Sequence, residues 1–211
     1  MVTTATDTTS QDLDYLRRLA EAGRQAPLSA GPYLVAGGGW FGISSLIMGL
    51  LELAGYPTRG NLPGAVFLAA AVGFGLHLFL LVRRDRGSAE THSNTAINAA
   101  WTAAGFGIFA FWVAASAVAI RHQSGLFMNA IPLVVLVVYG IAWWVAAVVS
   151  RQTWMKGVVA ATYVGLLVVA LSVGTRYVWL AYALALLGTA LVPGLKLVRT
   201  AAMERGPVRA P

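Results

Sequence analysis

From Leu62 to Val82 the chain reads LPGAVFLAAAVGFGLHLFLLV, without one Asp, Glu, Lys or Arg, and it stops abruptly at Arg83-Arg84-Asp85-Arg86. About 20 consecutive apolar residues cross the hydrocarbon core of a bilayer as a helix. Backbone polar groups find no water there, so only helices and closed barrels can satisfy them. The predicted class is therefore all-α: a polytopic membrane protein, six transmembrane helices preceded by a short amphipathic cytoplasmic helix. Composition agrees. Hydrophobic residues make up 58% of the chain and charged residues 11%, whereas soluble domains carry about 25% charge.

The same test along the chain predicts one transmembrane domain over 33–198, with spans at about 33–54, 62–82, 96–120, 128–150, 157–174 and 177–195. The last two share one apolar run, Gly157 to Leu195, broken only by Arg176. As a single helix that run would be about 58 Å long, against a core of about 30 Å, so it must turn back near Gly174-Thr175-Arg176-Tyr177. Pro193 and Gly194 are expected to kink or loosen the end of span six.

Outside the spans, residues 1–10 are polar and Thr-rich and are expected to be disordered. Residues 11–26 are predicted to form an interfacial helix. Thr9 and Asp12 have capping-box spacing, Leu13, Leu16 and Ala20 recur at helical intervals, and Asp14–Arg18 and Glu21–Arg24 can pair along its surface. Residues 199–211 form a basic tail expected in the cytoplasm. The opening MVTTATDTTSQDLDYLRR lacks the basic start and immediate apolar core of a signal peptide.

Charge sets the predicted orientation. With the N-terminus inside, twelve of the 15 cations (Arg17, Arg18, Arg24, Arg83, Arg84, Arg86, Arg151, Lys156, Lys196, Arg199, Arg205 and Arg209) fall on the cytoplasmic side. Three, Arg59, Arg121 and Arg176, fall outside. This is the positive-inside bias, and it accounts for the net charge of +7 without a nucleic-acid partner. Both termini are expected in the cytoplasm. Anionic headgroups are the expected contacts of Arg83, Arg84 and Arg86. Short loops and the absence of Cys suggest a bacterial inner membrane.

Small residues mark the predicted contact faces. Gly38, Gly42, Ser45 and Gly49 share one face of span one, and Ala65, Ala69, Gly73 and His77 form an i, i+4 ridge on span two. Gly107 and several alanines would serve span three, and Gly157, Ala161 and Gly165 span five. His77, well inside its span, is expected to face another helix. By depth it falls in one cytoplasmic-half layer with Trp40, Trp101, Trp143, Trp144 and Tyr163. That layer is either an aromatic-walled candidate pocket with His77 as its polar group, or an aromatic belt in which His77 bonds across a helix pair. Glu52 continues the small face of span one near its outer end and is the candidate ion or proton group. Ser44, Ser45, Tyr139, Thr162 and Ser172 are expected to be structural.

Several chemistries find no support. Without Cys there is no thiolate site; there is no HExxH, GxSxG or Walker A pattern, and no second membrane histidine to pair with His77 around a haem. No cofactor, metal site or catalytic residue is predicted. The expected function is a non-catalytic membrane subunit or scaffold acting through helix and lipid contacts, as a homo-oligomer or with a membrane partner. The alternative is a small-solute or proton-coupled transporter or channel built around His77. An enzyme ranks last, because no pair of catalytic groups shares a depth.

Overall fold

The computed structural model describes residues 30–56, 58, 62–85, 92–122 and 126–204, and among them every regular element is a helix. The segment expected to be disordered (1–10), the helix expected at 11–26, Arg86 and most of the basic tail lie outside the described residues. The helices are α1 (Gly31–Leu53), α2 (Leu62–Asp85), α3 (His92–His122), the single turn α4 (Leu126–Asn129), α5 (Ile131–Ser150), α6 (Thr153–Ser172), α7 (Val178–Leu186) and α8 (Val192–Glu204). A π-helical turn, Leu187–Leu191, joins α7 to α8. Six of the resulting helices are long and apolar enough to cross a membrane: α1, α2, α3, α4–α5, α6 and α7–α8. That is what a multi-pass membrane protein requires.

The breaks have local causes. Pro32 and Pro132 lie in the first turns of α1 and α5, where a missing N–H costs no helical bond. Gly55 and Gly174 take positive φ (82° and 81°) just after α1 and α6, which only glycine does freely. Between α5 and α6 the chain reverses through Arg151 and Gln152, and Arg151 is itself left-handed at φ 57°. Three boundaries differ from the expectation by four residues or more. α3 begins at His92, so part of the polar segment before residue 96 is helical, the fifth span begins at Thr153 and not at 157, and the sixth runs on to Met203 and not to 195.

By principal packing the spans follow the neighbour order α2, α1, α7–α8, α6, α5, α3. The second and third spans of the chain thus stand at the two ends of the row. The ridge predicted on α1 is its seam with the sixth span. A Cβ at Gly38 would lie 2.6 Å from the Leu191 amide nitrogen, and one at Gly49 would lie 2.8 Å from that of Leu180. From the other side, a Cβ on Gly194 would meet the Val35 nitrogen at 2.9 Å. Backbones this close gain dispersion contact that lipid cannot replace. On span five the small ridge is used only in part: Gly165 faces Ala185, while Gly157 has open space beside it.

Burial divides the spans sharply. In their apolar windows α1, α4–α5 and α7–α8 are each 44% buried, whereas α2 is 6% and α3 is 11% buried. The core lies between α1, α5, α6 and the sixth span. One cluster gathers Leu34, Ile97, Trp143, Ala146, Met155 and Leu197, and another gathers Val135, Leu136, Val169, Tyr182 and Leu186.

Candidate functional site

Trp143 is the largest side chain that the fold encloses, at 1% exposure. The edge-to-face neighbours of its ring are Trp101 of α3 (5.4 Å between centroids) and Trp154 of α6 (6.1 Å). Trp101 also meets Tyr139 of α5 at 5.2 Å. At the far end, the Lys196 ammonium of α8 sits 4.0 Å from the centre of the Trp154 ring, a cation–π contact. The Trp154 indole N–H donates to Gln152 Oε1 at 2.6 Å. One aromatic chain thereby ties α3, α5, α6 and α8 together.

The indole N–H of Trp143 donates to the Thr189 carbonyl at 2.8 Å. That partner has a reason. Thr189 lies four residues before Pro193, which has no N–H to return to it. The helix responds with the π turn over Leu187–Leu191, in which Val192 N–H bonds to the Leu187 carbonyl, and Trp143 takes up the carbonyl that Pro193 cannot. The expected looseness at Pro193 is therefore a π turn just before the proline, with α8 continuing through it.

The structure brings together two residues of the predicted aromatic layer, Trp101 and Trp143. The others lie on different faces. Trp40 is 42% exposed, and its ring occupies the notch above Gly73 of α2, where a Cβ would come within 2.6 Å. The ring of Tyr163 similarly covers Gly140. Trp144 points outward at 54% exposure. His77 is exposed on α2, as are Ala65 and Ala69, so Gly73 is the point at which that ridge meets another span. Arg83 folds back over Phe79, 4.3 Å from the ring centre, and Arg84 is exposed. Glu52 is half-buried at the end of α1, with its Oε2 enclosed and without a hydrogen-bond partner among the described residues.

Interior hydroxyls serve their own helices. Ser45 donates to Phe41 O, Ser150 to Ala146 O, Thr162 to Val158 O and Thr189 to Ala185 O, all at 2.6–2.7 Å. Such i−4 bonds satisfy each hydroxyl within its own helix. Among the described residues no three His, Asp or Glu side chains gather as a metal site would need. The parts that sequence reasoning missed are Trp154, Lys196 and the Thr189 carbonyl. Of these only the carbonyl carries a signal in the sequence, its position four residues before Pro193.

No known protein family, no characterised protein and no solved structure matches this chain, so its function has to be reasoned from its own residues.

Proposed function

We propose that the protein is a non-catalytic membrane subunit or scaffold that docks through the outward faces of α2 and α3, the two spans at the ends of the row. His77 carries the reading. It lies six residues before Arg83, about 9 Å along the helix axis, which places it well inside the hydrocarbon. Ionisable residues at such depth almost always face protein or water, because bare contact with lipid tails is costly. In the single chain His77 is exposed. A second transmembrane helix lying against α2 would cover it and offer its imidazole a hydrogen-bond partner.

Two further features, one on each of these end spans, support the reading. The ridge below His77 is made of small residues, Ala65 and Ala69, both exposed. On α3, Ala103, Gly107, Ala110, Ala114 and Ala117 recur at alternating four- and three-residue spacing and are all exposed. This is a seam at which a second helix can approach closely. The cationic ends of the spans, including Arg83 and Arg84, would hold the assembly against anionic headgroups, with both termini in the cytoplasm of a bacterial inner membrane.

The chain has no Cys, so single cysteines can be placed without background. Ala69→Cys, Ala110→Cys and, as a lipid-facing control, Leu171→Cys would be oxidised in native membranes. A disulfide-linked species from position 69 or 110, absent for 171, is expected. A doubled mass would identify a second copy as the occupant, and any other mass a different membrane protein. If positions 69 and 110 form no crosslink and take up a lipid-phase maleimide as readily as 171, the scaffold reading fails.

A further inference from the structure

We infer that the turn between α5 and α6 is a binding site for the phosphoryl group of an anionic phospholipid. The turn borders a shallow depression of about 280 Å³ lined by Ala147, Val148, Arg151, Thr153 and Lys156. Two cationic residues and a threonine therefore line one concavity, and among the described residues no carboxylate pairs with either cation. Arg151 offers a planar fork of donors suited to phosphate oxygens, and Lys156 a compact point charge.

The surroundings hold these groups in place. The Ser150 hydroxyl donates to Ala146 O at 2.6 Å and accepts from the Gln152 amide at 3.4 Å. The Met155 amide bonds back to Gln152 O at 3.2 Å, and Gln152 anchors Trp154 beneath Lys196. Met155 is fully buried. A turn fixed at both ends by two packed spans holds the backbone of Arg151 and Lys156, so binding has to order only their exposed side chains.

The walls also suit a lipid better than a free anion. Val148 lies three residues before Arg151 and Trp144 four residues before that, and both are more than half exposed on the same face of α5. Along α6, Ala160 continues the face of Thr153 and Lys156 and is exposed as well. The depression thus opens downward onto an apolar track that an acyl chain can follow. This site is independent of the α2 surface and would stand if the docking reading failed.

The test is native mass spectrometry of the detergent-solubilised full chain, titrated with phosphatidylglycerol or with phosphatidylcholine of the same acyl chains. At least a tenfold preference for phosphatidylglycerol is expected. It should survive Lys156→Arg and the control Arg176→Gln, and fall at least fivefold in Arg151→Gln/Lys156→Gln. Equal retention of the two lipids by the unaltered protein would overturn the inference whether or not the variants fold, and so would a folded double variant that keeps the preference. Millimolar inorganic phosphate serves as competitor: failure to displace the lipid is expected, and full displacement would give the site to a free phosphate and overturn the lipid assignment.

Discussion

Trp143 shows how much one side chain can decide in the core of a helix bundle. Its ring fills the centre of a core cluster, and its N–H answers a carbonyl that a proline has orphaned. Trp143→Phe keeps the aromatic packing but leaves the Thr189 carbonyl unpaired. The expected cost is ~1 kcal/mol, within the range for a buried unsatisfied acceptor and for membrane hydrogen bonds. The coupling can be checked. In a Pro193→Ala background residue 193 regains an N–H that can bond Thr189, so Trp143→Phe should cost clearly less there. Reversible unfolding of the four proteins in mixed micelles measures the cycle, and an unchanged cost would show that Pro193 and Trp143 are not linked through this carbonyl.

At the scale of elements, α1 is the helix against which the sixth span is laid, and its small face sets how closely they approach. Gly49→Ala would push a methyl to 2.8 Å from the Leu180 amide nitrogen, which as backbone cannot swing aside. A loss of about 1–3 kcal/mol is expected, as for overpacking in other cores. Gly39→Ala is the matched control. A Cβ there meets nothing within 4 Å, and alanine is the better helix former, so stability should hold or rise slightly. Thermal denaturation in one detergent compares the pair. Equal melting points would mean that α1 and the sixth span have room to part.

For the whole molecule, the uneven burial of the spans matters most. A core of α1, α5, α6 and the sixth span carries most of the buried surface, while α2 and α3 flank it with 6% and 11% of their windows buried. Helices with so few buried contacts open locally at low free energy. In detergent, amide exchange should therefore be faster along α2 and α3 than along α1 and α5. In native membranes a partner on the α2 face would slow the residues around His77 selectively. Exchange equally slow on all six spans in detergent would contradict the uneven core.

Hydropathy alone located the six spans, most of their ends to within about four residues, because a run of about 20 apolar residues has one cheap conformation in a bilayer. The ridge of Gly38, Gly42 and Gly49 was legible because small residues on one stripe let a second helix approach closely, although the same spacing at Ala65, Ala69 and Gly157 meets no neighbour in the chain. What faces what was not legible. Helical periodicity puts His77 in line with Gly73, yet tertiary packing decided that Trp40 would cover Gly73 and leave His77 outside. Depth put Trp40, Trp101, Trp143, Trp144 and Tyr163 in one layer, but depth says nothing about angle around a helix axis. Only the packing of α3, α5 and α6 drew Trp101, Trp143 and Trp154 together and turned Trp144 outward. Along one helix the residues that share a stripe follow from 3.6 per turn; which neighbour meets the stripe depends on contacts between segments far apart in the chain.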